Sequence, residues 1–120
     1  HLQDCKDDYL GLDRVYLPMD WITEAGVGVE ALVSGETSKG LRQVIDRTLD
    51  ATESLLVEAR ALPGGLKSRR LGMESSAILE IAGRLTCLLR CRDPLGASRV
   101  QLSKPGTIWC CVKGACRAWL

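Results

Sequence analysis

An all-α fold is the expectation from three features of the sequence. Two long stretches repeat apolar residues at the helical period, prolines and glycines punctuate the chain between them, and no run alternates as a half-buried strand does. At 120 residues the chain is long enough for one domain with a core of its own.

The elements follow in order. His1 to about Leu10 reads as one helix that breaks at Gly11. Pro18 suits the first turn of a short helix through Trp21 and Ile22, where its missing N–H is not needed, and Gly26 stops it. A second short helical piece, Val29 to Val33, ends at Gly35. Leu41, Val44, Ile45, Thr48, Leu49, Leu55, Leu56, Ala59 and Leu62 then recur at helical spacing, from a Thr37-Ser38 start to a Pro63-Gly64-Gly65 stop. The second long helix is expected from about Leu66 to Arg92. Its stripe is Leu71, Ile78, Ile81, Ala82, Leu85, Leu88 and Leu89. Asp93-Pro94 ends it, because proline steers the residue before it out of the helical region. Residues 95–102 read as an irregular crossover. Ser103 caps a final helix with Pro105 in its first turn and Ile108, Val112, Ala115 and Trp119 on one side. Two long antiparallel helices joined by a Gly-Gly turn, with shorter helices at either end, form an all-α packing unit.

Composition narrows the function classes. A hydrophobic share of 46%, a charged share of 26% and a net charge of +1 describe an ordinary globular protein with no overall pull on nucleic acid. The basic residues are not interleaved with stacking aromatics and phenylalanine is absent, so no nucleic-acid partner is expected. Charge is nevertheless uneven. The first third is acidic, whereas Arg84 to Arg117 contains Asp93 as its only acid. That basic stretch reads first as a solvated face and second as a surface for anionic lipid. No apolar run reaches the ~20 residues of a membrane span. Of the six cysteines, Cys87 and Cys91 lie in a helical pattern and Cys110-Cys111 are adjacent. That spacing suits neither a disulfide framework nor zinc, and it is read as small, reduced, buried side chains of a cytoplasmic protein.

Chemistry concentrates near the start. Asp4 and Asp8 stand four apart, so on a helix they share a face with Cβ atoms roughly 6 Å apart, and Asp7 adds a third acid. Alone, that pattern is as readily a solvated helix face. Arg14 and Tyr16, held by the turn at Pro18, shift the balance toward a site for a metal ion and an anion. Mg²⁺ commonly bridges one or two carboxylates to a substrate phosphate, and a guanidinium offers a planar fork to phosphate oxygens. Asp13 is expected to pair with Arg14. Asp46 and Asp50 have the same spacing but interrupt a core stripe, and are expected to be surface acids near Arg42 and Arg47.

Gln3-Asp4-Cys5-Lys6-Asp7-Asp8-Tyr9, followed by Arg14-Val15-Tyr16-Leu17-Pro18, resembles the second aspartate-rich motif of the squalene/phytoene synthase family. Leu2-Gln3-Asp4-Cys5 and Leu12-Asp13-Arg14-Val15-Tyr16 are most similar to its hopanoid-pathway branch, the hydroxysqualene synthases. Arg92-Asp93-Pro94-Leu95, Arg99-Val100 and Leu102-Ser103-Lys104-Pro105 resemble that branch's crossover and last helix. The resemblance spans essentially the whole chain but less than half of a typical member. Residues 1–120 are therefore expected to be the C-terminal portion of a single isoprenoid-synthase-type helical bundle, without the N-terminal half and its first aspartate-rich motif.

The resemblance implies that Asp4 and Asp8 ligate Mg²⁺ with Asp7 as the acid between them, that Arg14 binds substrate diphosphate, and that Tyr16 is catalytic. Gln3 replaces an arginine of the carotenoid enzymes and one extra residue separates Asp8 from Arg14; both fit the hopanoid branch. The implied reaction of the parent enzyme converts presqualene diphosphate to hydroxysqualene, by Mg²⁺-assisted loss of diphosphate and capture by water. Two alternatives stand beside it: head-to-head joining of prenyl diphosphates to presqualene diphosphate, squalene or phytoene, and a non-catalytic helical interaction module. The isolated 120 residues are expected to be inactive. The expected partner is a prenyl diphosphate, with the protein in the cytoplasm and in peripheral contact with the inner membrane face.

Overall fold

The computed structural model describes residues 1–96 and 99–119, and among them the secondary structure is entirely helical. A 3-10 turn, Leu2–Asp4, leads into α1 (Cys5–Leu12). Then come α2 (Met19–Glu24), a 3-10 turn Val29–Val33, α3 (Lys39–Ala59), α4 (Leu62–Gly65), α5 (Arg69–Cys91) and α6 (Lys104–Trp119). The all-α expectation holds. The chain divides into two compact units, one of His1–Asp50 with Leu88–Gln101, the other of Ala51–Cys87 with the residues from Leu102 onward.

The first unit has the denser apolar core. Leu41, Val44, Ile45 and Leu49 of α3 are buried together with Leu17, Ile22, Leu32, Leu89, Leu95 and Val100. Each such side chain contributes about 1.5–3 kcal/mol by leaving water. Helix α1 packs on the 3-10 turn Val29–Val33 and buries Cys5. Gly40 permits a close approach, since a Cβ there would lie 2.9 Å from the Ala25 carbonyl oxygen. Polar contacts then tie α3 to the end of α5. Ser38 Oγ accepts the Leu41 N–H at 3.2 Å, and Asp93 accepts the Thr37 N–H at 2.9 Å, the Thr37 hydroxyl and the Leu95 N–H at 2.9 Å. Burial alone would push the Asp93 carboxyl up, but these bonds outweigh it and hold it below the usual carboxylate range. Arg42 donates to the carbonyls of Leu89, Arg90 and Arg92, groups that the end of a helix otherwise leaves without partners.

In the second unit α6 lies against α5 through backbone rather than large side chains. A Cβ on Gly114 would stand 2.5 Å from Ala77 Cα, and Cys110, Gly114 and Ser76 are buried there. Glu80 binds Lys113 at 2.9 Å and also Arg117. The hydrogen bond from Lys113, aided by Arg117, holds the Glu80 carboxyl below its ordinary value against the opposing effect of burial.

Several sequence expectations need correction. Helix α1 passes through Gly11 and ends at Asp13, which adopts the left-handed conformation (φ 50°). Aspartate tolerates that region better than most side chains. Helix α3 ends at Ala59, and Leu62–Gly65 is itself a helical turn, because Pro63 suits a first turn. Helix α5 starts at Arg69 rather than Leu66, where Ser68 Oγ accepts the Leu71 N–H at 3.4 Å. The apolar stripes are buried fully only in the first unit, while Leu55, Leu62, Leu71 and Ile78 are exposed. On α6 the expected packing face is also exposed at Ile108, Val112 and Trp119, because small residues on the opposite side allow the closer backbone contact. All six cysteines are free as expected, but Cys87, Cys91, Cys111 and Cys116 are exposed rather than buried. Among the described residues no helix is long and apolar enough to cross a membrane.

Candidate functional site

Asp4 sits at the junction of the 3-10 turn and α1, and its side chain makes no cap hydrogen bond. Its carboxylate is therefore not spent on the helix end. Asp8 follows one turn later. Both side chains are largely buried, with 24% and 18% exposure, yet Asp4 Oδ1 and Asp8 Oδ2 accept no hydrogen bond. A buried acceptor without a donor costs about 1–3 kcal/mol, more when charged. Two such oxygens one helical turn apart draw positive charge toward them.

Two cationic groups of the chain answer part of that pull. Arg99 Nη2 approaches Asp4 Oδ1 to 2.5 Å as an ion pair, and His1 Nδ1 lies 3.6 Å from Asp8 Oδ2, beyond hydrogen-bond reach. The His1 ring stacks on Tyr16, with centroids 3.9 Å apart and planes at 16°. Arg14 Nη1 donates to the Tyr16 hydroxyl at 3.4 Å, and its backbone N–H donates to the Asp8 carbonyl at 3.2 Å. That hydrogen bond to Tyr16, with Asp8 nearby, pushes the exposed Arg14 guanidinium still further up. Leu17, buried in the core, anchors the segment that carries both residues.

The structure thus brings Asp4, Asp8, Arg14 and Tyr16 into one neighbourhood and leaves Asp7 exposed beside it. Asp13 does not serve Arg14 as an ion-pair partner; it shapes the end of α1, and Arg14 turns to Tyr16 instead. Asp46 pairs with Arg42 at 2.6 Å, and Asp50, a surface acid as expected, pairs with Arg90 at 2.5 Å. Arg47 meets Glu24 at 2.8 Å and lies over the Trp21 ring. Cys5, next to Asp4, is buried, and that burial pushes its thiol up, which favours the neutral form.

Among the described residues no three His, Cys, Asp or Glu side chains gather around one point as a complete metal cage. Two carboxylates nevertheless fit an octahedral divalent ion that takes its other oxygens from water and substrate phosphate. The two buried oxygens that accept no hydrogen bond, with only Asp4 Oδ1 ion-paired to Arg99, place that fit at Asp4 and Asp8. Sequence reasoning quoted Arg99-Val100 but assigned Arg99 no role. Its place follows from Val100, whose full burial in the core fixes the crossover beside α1.

Comparison with known proteins gives the family. Residues 1–105 match the squalene/phytoene synthase family. The chain is similar to the hydroxysqualene synthase of Rhodopseudomonas palustris, 43% identical over 102 residues, which cover 85% of this chain and 35% of that protein. The hydroxysqualene synthase of Sinorhizobium fredii is 39% identical over 103 residues, covering 86% of this chain and 35% of the relative. That of Zymomonas mobilis is 35% identical over 108 residues, 90% of this chain and 36% of the relative. The chain therefore spans about a third of the length of these curated relatives. No solved structure matches it significantly.

Proposed function

The chain belongs to the squalene/phytoene synthase family, and on that premise we propose that it is the C-terminal portion of a hydroxysqualene synthase of hopanoid biosynthesis. The observation that carries this reading is the pair of largely buried carboxylates of Asp4 and Asp8 one helical turn apart, neither Asp4 Oδ1 nor Asp8 Oδ2 accepting a hydrogen bond, with the Arg14 N–H bonded to the Asp8 carbonyl. The proposed substrate of the whole protein is presqualene diphosphate and the product hydroxysqualene.

In this reading Asp4 and Asp8 would hold Mg²⁺, with Asp7 adding negative charge at the rim. Bound there, the ion supplies Lewis-acid stabilisation of the diphosphate leaving group. Arg14 contributes a planar fork to the phosphate oxygens, held in place by its bond to Tyr16. The Tyr16 hydroxyl accepts from Arg14 and keeps its own proton to donate to the departing oxygen, while the His1 ring fixes its plane. The C–O bond breaks with its electron pair on the diphosphate. The cyclopropyl cation rearranges, and water forms the new C–O bond and gives up a proton. Preorganised donors around the leaving group supply much of the rate in such a step. The isolated 120 residues, with one acidic wall, are proposed to be inactive. The whole protein is proposed to work in the cytoplasm, in peripheral contact with the inner membrane face.

Product analysis of the whole protein tests this reading. Presqualene diphosphate with Mg²⁺ is expected to give hydroxysqualene, and Asp4→Asn with Asp8→Asn to abolish it. Formation of presqualene diphosphate, squalene or phytoene from farnesyl or geranylgeranyl diphosphate would assign the head-to-head reaction instead.

A further inference from the structure

Arg99 reaches Asp4 from a segment that no helix holds, since residues 99–103 carry no regular secondary structure. Its side chain is half exposed, and an exposed ion pair gains little that would keep a long side chain in one geometry. The backbone that carries Arg99 must therefore be fixed by other groups. On either side of it Leu95 and Val100 are fully buried, at 0% and 1% exposure. Ahead of Leu95, Asp93 fastens the chain twice. Its Oδ1 accepts the Leu95 N–H at 2.9 Å, and its carbonyl accepts the Gly96 N–H at 3.3 Å. The same carboxylate accepts the N–H and the hydroxyl of Thr37, 56 positions away in the chain.

These bonds close a circuit that starts and ends at Asp4. Helix α1, which follows Asp4, packs on the turn Val29–Val33 and buries Cys5. The Ser34 hydroxyl lies 2.9 Å from the Ala31 carbonyl oxygen and 2.6 Å from that of Glu36, which folds the chain from that turn toward Thr37. Thr37 meets Asp93, Asp93 sets the turn to Leu95, and the crossover returns Arg99 to Asp4. All of these residues belong to the first compact unit. Arg42 does not duplicate the link, because its bonds to the Leu89, Arg90 and Arg92 carbonyls stop at the end of α5.

We propose that Asp93 is a positioning residue for the acidic site: its clasp on Thr37 and Leu95 holds the crossover where Arg99 neutralises Asp4, and so sets how readily that carboxylate takes a divalent ion. A carboxylate suits the place because both of its oxygens accept, Oδ2 from the Thr37 N–H and Oδ1 from the Leu95 N–H. An asparagine has one acceptor oxygen and cannot hold both partners in this way. The inference rests on the proposed metal reading of Asp4 and Asp8, not on the product formed.

The test is Mn²⁺ titration of the whole protein without diphosphate, followed by electron paramagnetic resonance well below the unfolding temperature. Arg99→Gln fixes the reference shift. Asp93→Asn and, separately, Thr37→Val are expected to move the Mn²⁺ dissociation constant in the same direction, by about fivefold at most. Neither should add to the shift in a protein that already carries Arg99→Gln, whereas a loosened fold would act in both backgrounds. Thr37→Ser keeps the hydroxyl and is expected to retain the wild-type value. Nuclear magnetic resonance of the Arg99 Nε–H needs no metal, and its exchange with water should quicken in Asp93→Asn as it does in Asp4→Asn. Unchanged Mn²⁺ affinity and unchanged exchange in both clasp variants would overturn the proposal. So would no shift on Arg99→Gln, or equal shifts with and without Arg99. Failure of Mn²⁺ to bind the wild type would overturn it together with the metal reading. A failed product assay with these shifts present would remove the reaction and leave the positioning role standing, and turnover with the shifts absent would do the reverse.

Discussion

Arg99 Nη2 stands 2.5 Å from Asp4 Oδ1, so a cation from the crossover near the end of the chain already occupies an acid at its beginning. The contact neutralises part of an otherwise uncompensated acidic pair, and it also competes with any metal ion for the same oxygen.

Replacing Arg99 separates those two effects. Arg99→Gln is expected to tighten binding of Mg²⁺ or its probe Mn²⁺ in the absence of diphosphate, by about fivefold at most. A pair this exposed is worth up to about 1 kcal/mol. Mn²⁺ titration followed by electron paramagnetic resonance measures it, and weaker Mn²⁺ binding would show that Arg99 positions Asp4 rather than opposing the ion.

The unpartnered oxygen on Asp8 makes a prediction about stability. Asp8→Asn removes a buried charge whose Oδ2 accepts nothing, so the metal-free protein should be unchanged or more stable by about 1 kcal/mol. Metal binding should weaken in the same variant. A loss of stability in metal-free urea unfolding would mean that the carboxylate is satisfied in solution by a group the geometry does not provide.

The Asp93 carboxyl is held below its ordinary value, which gives a pH dependence with a definite sign. A depressed folded-state pKa contributes stability that is fully present above the unfolded value of about 3.9 and fades as pH falls through the lower folded value. Thermal unfolding from pH 6 down to pH 2 should show an acid-side decline that is shallower in Asp93→Asn. Parallel curves for the two proteins would contradict the role given to its bonds with Thr37 and Leu95.

Gly114 tests how α6 meets α5. An alanine inside a helix normally gains about 1 kcal/mol over glycine. At position 114 its Cβ would stand 2.5 Å from Ala77 Cα, so Gly114→Ala should instead destabilise the chain by about 1–3 kcal/mol. Denaturant unfolding gives the sign directly, and a stabilised variant would exclude the close backbone contact.

Much of the architecture was legible because its signals are local. Ser38 and Ser103 do cap α3 and α6, Pro94 follows the end of α5, and the apolar period from Leu41 to Leu49 marks a buried face. Each of these acts within a turn or two of its own residue, through a hydrogen bond, a fixed φ or a repeating side-chain direction. The acid spacing at Asp4 and Asp8 and the Arg14-Val15-Tyr16-Leu17-Pro18 run were likewise visible in one short window, and so was the family. Other features depend on residues far apart in the chain. The exposure of Ile108 and Trp119 and the burial of Gly114 depend on which neighbour allows the closest approach. Periodicity cannot choose between two faces of a helix when a glycine lets the partner's backbone come nearer than a leucine would. Arg99 shows the same limit at the site. Its charge was plain in the sequence, but only the burial of Val100 in a core made by distant elements brings it to Asp4.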